Sequence, residues 1–305
     1  WFESTLLYQK MIKNKKNKPS KELPLGFVDR QEKELLVRDF IISNIKDVMI
    51  KYGFQYLETP SFEYSDSIGK FLPDKDRPDQ GVFSFQDEKK WLSLRYDLTA
   101  PLARYVAKNF LEIPKPFKRY QLGTVWRNEK PGPGRFREFL QFDADFVGTN
   151  SLQADAELCI MISEILEKSG LSKEEYIVKI SSRKITEELF KKINLNNNEQ
   201  KLTALRALDK IDRLGWEGVK QLLGEGRKDK SGDFTNGANL SSSNIKAIEK
   251  ELKKKSPETE DLKEILKLFE DYNFKNFEFD SSIIRGLEYY TGPIFEVNLK
   301  FDVKN

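Results

Sequence analysis

Two apolar-patterned segments, Phe117-Lys-Arg-Tyr-Gln-Leu-Gly-Thr-Val-Trp126 and Phe139-Leu-Gln-Phe-Asp-Ala-Asp-Phe-Val147, enclose Arg127-Asn-Glu-Lys-Pro-Gly-Pro-Gly-Arg-Phe-Arg-Glu138. Strand-like runs on either side of a Pro- and Gly-rich linker predict an antiparallel hairpin with a long tip. The tip holds Arg127, Arg135 and Arg137. Arginine stays charged at any working pH, and its planar fork matches a phosphate or a carboxylate. Three such forks on one hairpin suggest a site for a polyanion. Phe136 and Phe139 offer faces on which a base could stack.

Two further stretches answer the first. One is Leu94-Arg-Tyr-Asp-Leu-Thr-Ala-Pro-Leu-Ala-Arg-Tyr-Val106. The other is Ile283-Ile-Arg-Gly-Leu-Glu-Tyr-Tyr-Thr-Gly-Pro-Ile-Phe-Glu296. In this order, and over roughly residues 24–300, the three resemble the histidyl-tRNA synthetase family of class II aminoacyl-tRNA synthetases. The Arg127-Asn-Glu129 hairpin resembles class II motif 2. Arg285-Gly-Leu-Glu-Tyr-Tyr290 resembles a signature of this synthetase and its paralogues. The wording of the hairpin resembles alphaproteobacterial members of the family.

Composition sets the outer limits. A chain of 305 residues accommodates one large domain with an insertion, or two domains. With 38% hydrophobic and 33% charged residues it reads as globular with a wet surface. No stretch approaches the ~20 apolar residues of a membrane span. The single cysteine, Cys159, leaves no disulfide framework within the chain and fits a reducing compartment. It lies in an apolar helical pattern, as a buried structural thiol would. There is no histidine, which removes His-based acid–base chemistry and His-ligated zinc. The net charge of +3 is modest, but residues 191–255 hold 15 Lys and Arg against 9 Asp and Glu. Such a surplus reads either as a solvated surface or as a footprint for a nucleic-acid backbone. The resemblance favours tRNA.

The chain divides into a basic lead over residues 1–22, a first catalytic part over 23–190, a mostly helical insertion over 191–255 and a second catalytic part over 256–305. The lead begins with Trp1, and Met11 is a candidate natural start. Apolar positions from Leu35 to Met49 recur at helical spacing, so Glu32–Lys51 is expected to be a helix that stops at Gly53. A short strand over Phe54–Pro60 follows. By resemblance this helix and strand form motif 1, which builds a homodimer interface. Gly81–Phe85 and Trp91–Leu94 predict a hairpin with a tip at Gln86–Lys90. A helix from Thr99 as N-cap through Ala107 follows, with Pro101 in its first turn. Ser151–Lys168 reads as a helix and Tyr176–Ile180 as a strand. In the insertion, Leu202–Leu208, Val219–Leu223 and Ile245–Lys254 read as helices, and Arg227–Gly232 as a charged loop. Leu262–Tyr272 is a further helix, and Pro293–Val303 a closing strand. Hairpin-linked strands with helices grouped between them predict an α+β fold with a largely antiparallel sheet. The resemblance implies the same: a class II synthetase-like antiparallel sheet flanked by helices.

The implied chemistry brings a carboxylate to the α-phosphorus of ATP, which needs positioning and preorganised positive charge. By resemblance Arg127 grips the α-phosphate and carboxylate region, and Arg285 acts as an electrophile at the α-phosphate. Glu129 reads the adenine amino group, Phe139 stacks on adenine, and Arg135 reaches the outer phosphates. Asp97, Thr99 and Gln141 match positions that hold the histidine ammonium. Asp145, Tyr289 and Tyr290 match positions around the imidazole ring. Many relatives have Glu at positions 97 and 145, so the shorter Asp must reach through backbone or water. Mg²⁺ is expected with ATP, although no metal-ligand cluster is visible. The implied partners are histidine, ATP, tRNA(His) and a second copy of the chain, with no membrane, and the implied location is the cytoplasm.

No glycine follows Gly292, so the Gly-rich third motif of class II enzymes is missing, as is an anticodon-binding domain. The expectation is a catalytic-region fragment. Two alternatives remain open at this stage. One is the regulatory subunit of ATP phosphoribosyltransferase, and the other is a synthetase-like binding module without catalysis.

Overall fold

The computed structural model describes residues 21–68, 81–229, 232–285 and 290–303. The expected hairpin organises the first half. Strand β5 (Phe117–Trp126) pairs antiparallel with β6 (Glu138–Val147), in register from Phe117↔Val147 to Trp126↔Glu138. Side chains alternate along a strand, so each strand has two faces. Tyr120, Phe142, Ala144 and Phe146 turn to one side. There they pack with Val48 and Met49 of helix α1 (Glu32–Lys51), with Phe54, and with Met161. Arg119, Gln121, Gly123, Phe139, Gln141, Asp143 and Asp145 belong to the opposite parity. Register thus assigns one face to the core and leaves the other for chemistry.

Helix α1 begins with Glu32 and Glu34 and ends on Lys51, charges that suit the helix dipole. It stops at Gly53, whose φ of +76° is a left-handed turn that glycine adopts without strain. The strand expected over Phe54–Pro60 is shorter. Only β1 (Gln55–Tyr56) pairs, parallel to Arg119–Tyr120, because the chain turns away beyond Leu57, whose N–H meets the Tyr120 carbonyl. Helix α4 (Leu152–Lys168) starts at Ser151, whose hydroxyl accepts the Gln153 N–H. It is shared by two cores. Met161 faces the hairpin, while Ala156 and Cys159 pack against β7 (Tyr176–Ser182) and helix α9 (Glu260–Asp271). Cys159 is buried, and burial pushes its thiol pKa far up, as expected of a structural cysteine.

Strand β7 pairs antiparallel with β11 (Pro293–Leu299) and parallel with β10 (Phe277–Phe279), which the sequence pattern did not predict. A third sheet orders β2 (Phe62–Tyr64), β4 (Lys90–Leu94) and β3 (Ser84–Asp87). Its β3–β4 hairpin is tighter than expected. Strand pairing runs to Asp87↔Lys90, and Glu88 takes a positive φ in the turn. Antiparallel pairings dominate, within small sheets flanked by helices.

Helix α5 (Arg183–Lys192), which leads into the insertion, and helices α6 (Asn198–Leu208), α7 (Ile211–Leu223) and α8 (Ser242–Leu252) within it surround a separate apolar cluster. Leu189, Leu205, Leu208, Leu223 and Ile248 contribute to it, and so does Ile284 from the returning chain. The charged loop expected over Arg227–Gly232 is corrected. Strand β8 (Gly226–Lys228) pairs with β9 (Phe234–Asn236) in a small hairpin, held by backbone bonds that need no apolar alternation.

Arg95 crosses the hairpin at Gly123. It is only 4% exposed, and it donates to the carbonyls of Thr124 (2.9 Å) and Thr59 (2.7 Å). A Cβ at position 123 would collide with the Arg95 guanidinium and lie 3.2 Å from Leu98 Cδ2. Gly123→Ala is therefore expected to cost about 1–3 kcal/mol, the usual range for overpacking. Urea unfolding measures this, and an unchanged midpoint would show that Arg95 can step aside freely.

Candidate functional site

The opposite-parity face of β5–β6 is covered by the start of helix α3 (Thr99–Asn109). Arg119 makes that attachment. Its side chain is wholly enclosed, it donates to the Leu98 carbonyl (3.1 Å) and the Gln121 Oε1 (3.3 Å), and its Nε stands 2.9 Å from Asp145 Oδ2. Gln121 in turn meets the Thr59 hydroxyl. Thr99 was expected as the N-cap of this helix. It is instead the first helical residue, after Leu98. The capping carboxylate is Asp97, which accepts the Ala100 N–H at 2.9 Å, and the Thr99 hydroxyl bonds Asp143. A carboxylate reaches back to an orphan N–H better than a β-branched hydroxyl one residue inside the helix.

Asp97, Asp143 and Asp145 form one electrostatic group. Burial raises the pKa of each, and their mutual repulsion adds to the effect for Asp97 and Asp145. Asp145 is pushed up to about 6, chiefly by burial, and Arg119 opposes the shift. The cations acting on the group are Arg119 and Arg127. Three carboxylates against two guanidiniums leave an excess of negative charge, which suits a cation such as an ammonium. Arg127 lies at the other end of the face. Its Nε donates to the Tyr96 carbonyl (3.2 Å), and its guanidinium carbon is 5.1 Å from the centre of the Phe139 ring. An anionic group and a planar ring could be held there, beside the ammonium position.

The structure thus brings Asp97, Thr99, Arg127, Phe139, Gln141 and Asp145 together on one face. It adds Arg119 and Asp143, which the sequence reading missed. Asp143 lies between Gln141 and Asp145 at strand period two, a signal that could have found it. Arg119 and Gln121 interrupt an apolar strand at alternate positions, which hinted at a buried polar pair across the hairpin.

Other expected residues have local partners of their own. Arg135 is exposed in a tight turn whose backbone pairs with Gly132, and the Glu129 carbonyl accepts the Arg137 Nε at 2.9 Å. Arg285 is ion-paired with Glu296 of β11 at 2.7 Å, and its carbonyl accepts from Arg183 at 2.7 Å. Tyr290 is half-buried, and Tyr289 lies outside the described residues. Among the described residues, no group of three or more His, Cys, Asp or Glu is placed to hold a metal, and no helix is long and apolar enough to cross a membrane.

Comparison with known proteins gives a consistent result. A family model described as Histidyl-tRNA synthetase matches residues 26–300. The histidine--tRNA ligase of Bartonella quintana (strain Toulouse) is 48% identical, with 96% of this chain and 64% of that protein covered. The histidine--tRNA ligase of Rhodopseudomonas palustris (strain TIE-1) is 46% identical, with 95% of this chain and 64% of that protein covered. This chain therefore spans about 64% of the length of those relatives. Among solved structures, the histidyl-tRNA synthetase of Nostoc sp. PCC 7120 superposes with a TM-score of 0.72 at 25% identity, over 92% of this chain and 66% of that one.

Proposed function

We propose, from the premise that this chain belongs to the histidyl-tRNA synthetase family, that it supplies the region activating histidine with ATP for transfer to tRNA(His). The observation that carries this reading is the sharing of one strand face by an acidic group and by Arg127 over Phe139. An amino acid brings an ammonium to the first and a carboxylate to the second.

In the proposed reaction a histidine carboxylate oxygen attacks the α-phosphorus of ATP, and the bond to pyrophosphate breaks. A terminal ribose hydroxyl of the tRNA then attacks the activated carbonyl, and AMP leaves. Arg127 grips the carboxylate and α-phosphate as negative charge builds. Arg285 is assigned the second cationic role at the α-phosphate, supported by Arg183 and Glu296. Asp97, Thr99 and Gln141 take the ammonium, and Asp145 with Tyr289 and Tyr290 takes the ring. Phe139 stacks on adenine, Glu129 reads its amino group, and Arg135 meets the outer phosphates. Mg²⁺ is assigned as the ion that accompanies ATP.

The basic insertion over 191–255 is assigned to tRNA contact. A homodimer is assigned to the α1 face, where Leu36, Val37 and Phe40 are each more than half exposed. A second copy would cover that apolar stripe. The proposed location is the cytoplasm, in keeping with a role in charging tRNA.

Calorimetry with histidine tests the reading. Asp145→Ala is expected to weaken binding by about 1–3 kcal/mol, the range for a lost charged hydrogen bond. Affinity should also fall as the pH drops through about 6, because protonation removes the Asp145 charge. Free histidine titrates nearby, so Asp145→Asn is the reference whose profile lacks the protein's share. Equal binding by Asp145→Ala would remove the pocket assignment.

A further inference from the structure

Gln141 and Asp143 neighbour each other on one face of β6. The Gln141 amide nitrogen lies 2.9 Å from Oδ1 and 3.1 Å from Oδ2 of Asp143. An ionised carboxylate has no proton to give, so it only accepts. Turning the amide over would set its oxygen against two carboxylate oxygens. Asp143 therefore settles which end of the Gln141 amide faces it. Asp143 is itself held from two directions, by the Thr99 hydroxyl from α3 and by the charges of Arg119 and Arg127. It sits opposite Gln121 in the strand register, away from the core.

An ammonium only donates. A glutamine that is to bind one must present oxygen, and a glutamine free to rotate presents nitrogen as readily. We propose that Asp143 is a positioning residue: by holding the Gln141 amide nitrogen it fixes Gln141 Oε1 as an acceptor for the substrate ammonium. This rests on the reading that the site takes histidine. It makes selectivity for the amino group a property of the Gln141–Asp143 pair, with Asp143 acting through its neighbour.

Binding of histidine is compared with binding of its hydroxy-acid analogue, in which a hydroxyl replaces the ammonium. The hydroxyl can donate or accept, so it tolerates either face of the amide. Asp143→Asn is expected to reduce the preference for histidine over the hydroxy acid by about 10–100-fold, the equivalent of one charge-assisted hydrogen bond. Binding of the hydroxy acid should change little, which reports that the site remains folded. The deciding measurement repeats the substitution in a Gln141→Met background. There Asp143→Asn should cause a much smaller loss of preference, the part owed to its charge in the acidic group. An equal loss in both backgrounds would show that Asp143 acts on the ammonium directly and would overturn the proposal, as would an unchanged preference with Gln141 in place. Failure of the parental chain to bind histidine at all would reject the functional reading, and this inference with it.

Discussion

Replacing Arg119 with alanine is expected to destabilise the chain by about 3 kcal/mol at pH 8, near the lower end of the range for breaking a buried ion pair. Arg119 is wholly enclosed, whereas its partner Asp145 is 24% exposed, so solvent screens part of the loss. The substitution removes the charge that holds the Asp145 pKa down, and it strips the Leu98 carbonyl of a donor. The pH dependence carries the sign. The Asp145 pKa is raised above its unfolded value of 3.8. Its ionisation therefore costs folding free energy as the pH rises through about 6, and that cost is absent once the pH is below the unfolded value. Arg119 offsets the cost only while Asp145 is charged. The penalty of Arg119→Ala should thus be largest at pH 8 and shrink toward pH 5. Urea midpoints at the two pH values measure it, and a penalty independent of pH would mean that the pair is not what Arg119 contributes.

The largest kinetic effect is expected at Arg127. In a polypeptide of the relatives' full length, Arg127→Ala should slow histidine-dependent ATP–pyrophosphate exchange by about 10²–10³, the usual cost of losing one preorganised donor at a developing charge. The Tyr96 carbonyl and the Phe139 ring hold the guanidinium before any ligand arrives. Its positive charge is therefore in place as the phosphate oxygens gain negative charge. The turnover rate should fall further than the Michaelis constant for histidine rises, since the contact strengthens in the transition state. Exchange at nearly the parental rate would remove Arg127 from the proposed chemistry.

The large elements of this chain were legible because their signals are long. Ten-residue strands on either side of a Pro- and Gly-rich tip, and the twenty-residue helix ending at Gly53, carry enough positions for periodicity to decide. Strands of two or three residues, such as β1, β2, β8 and β10, do not. Their pairing depends on what lies beside them in space. The same division runs through the candidate site. Arg127, Gln141 and Asp145 stand in quotable motifs. Arg119 reads in sequence as an ordinary charged strand residue, and only the facing strand shows that it is enclosed and paired. The Asp97 cap was hidden by Thr99, which stands two residues before Pro101 as an N-cap would but lies one residue inside the helix.

The parity of β5 and β6 also limits how the gene can change length. Deleting one codon inside either strand would swap its faces, carrying carboxylates into the apolar core and phenylalanines into the site. Deleting two would restore the faces but slide every site residue by roughly 7 Å along the strand. The exposed turn from Gly132 to Arg135 has no such constraint. Among descendants of this sequence, insertions and deletions in the hairpin should be purged from both strands, and those that persist should lie between Gly132 and Gly134, short of Arg135.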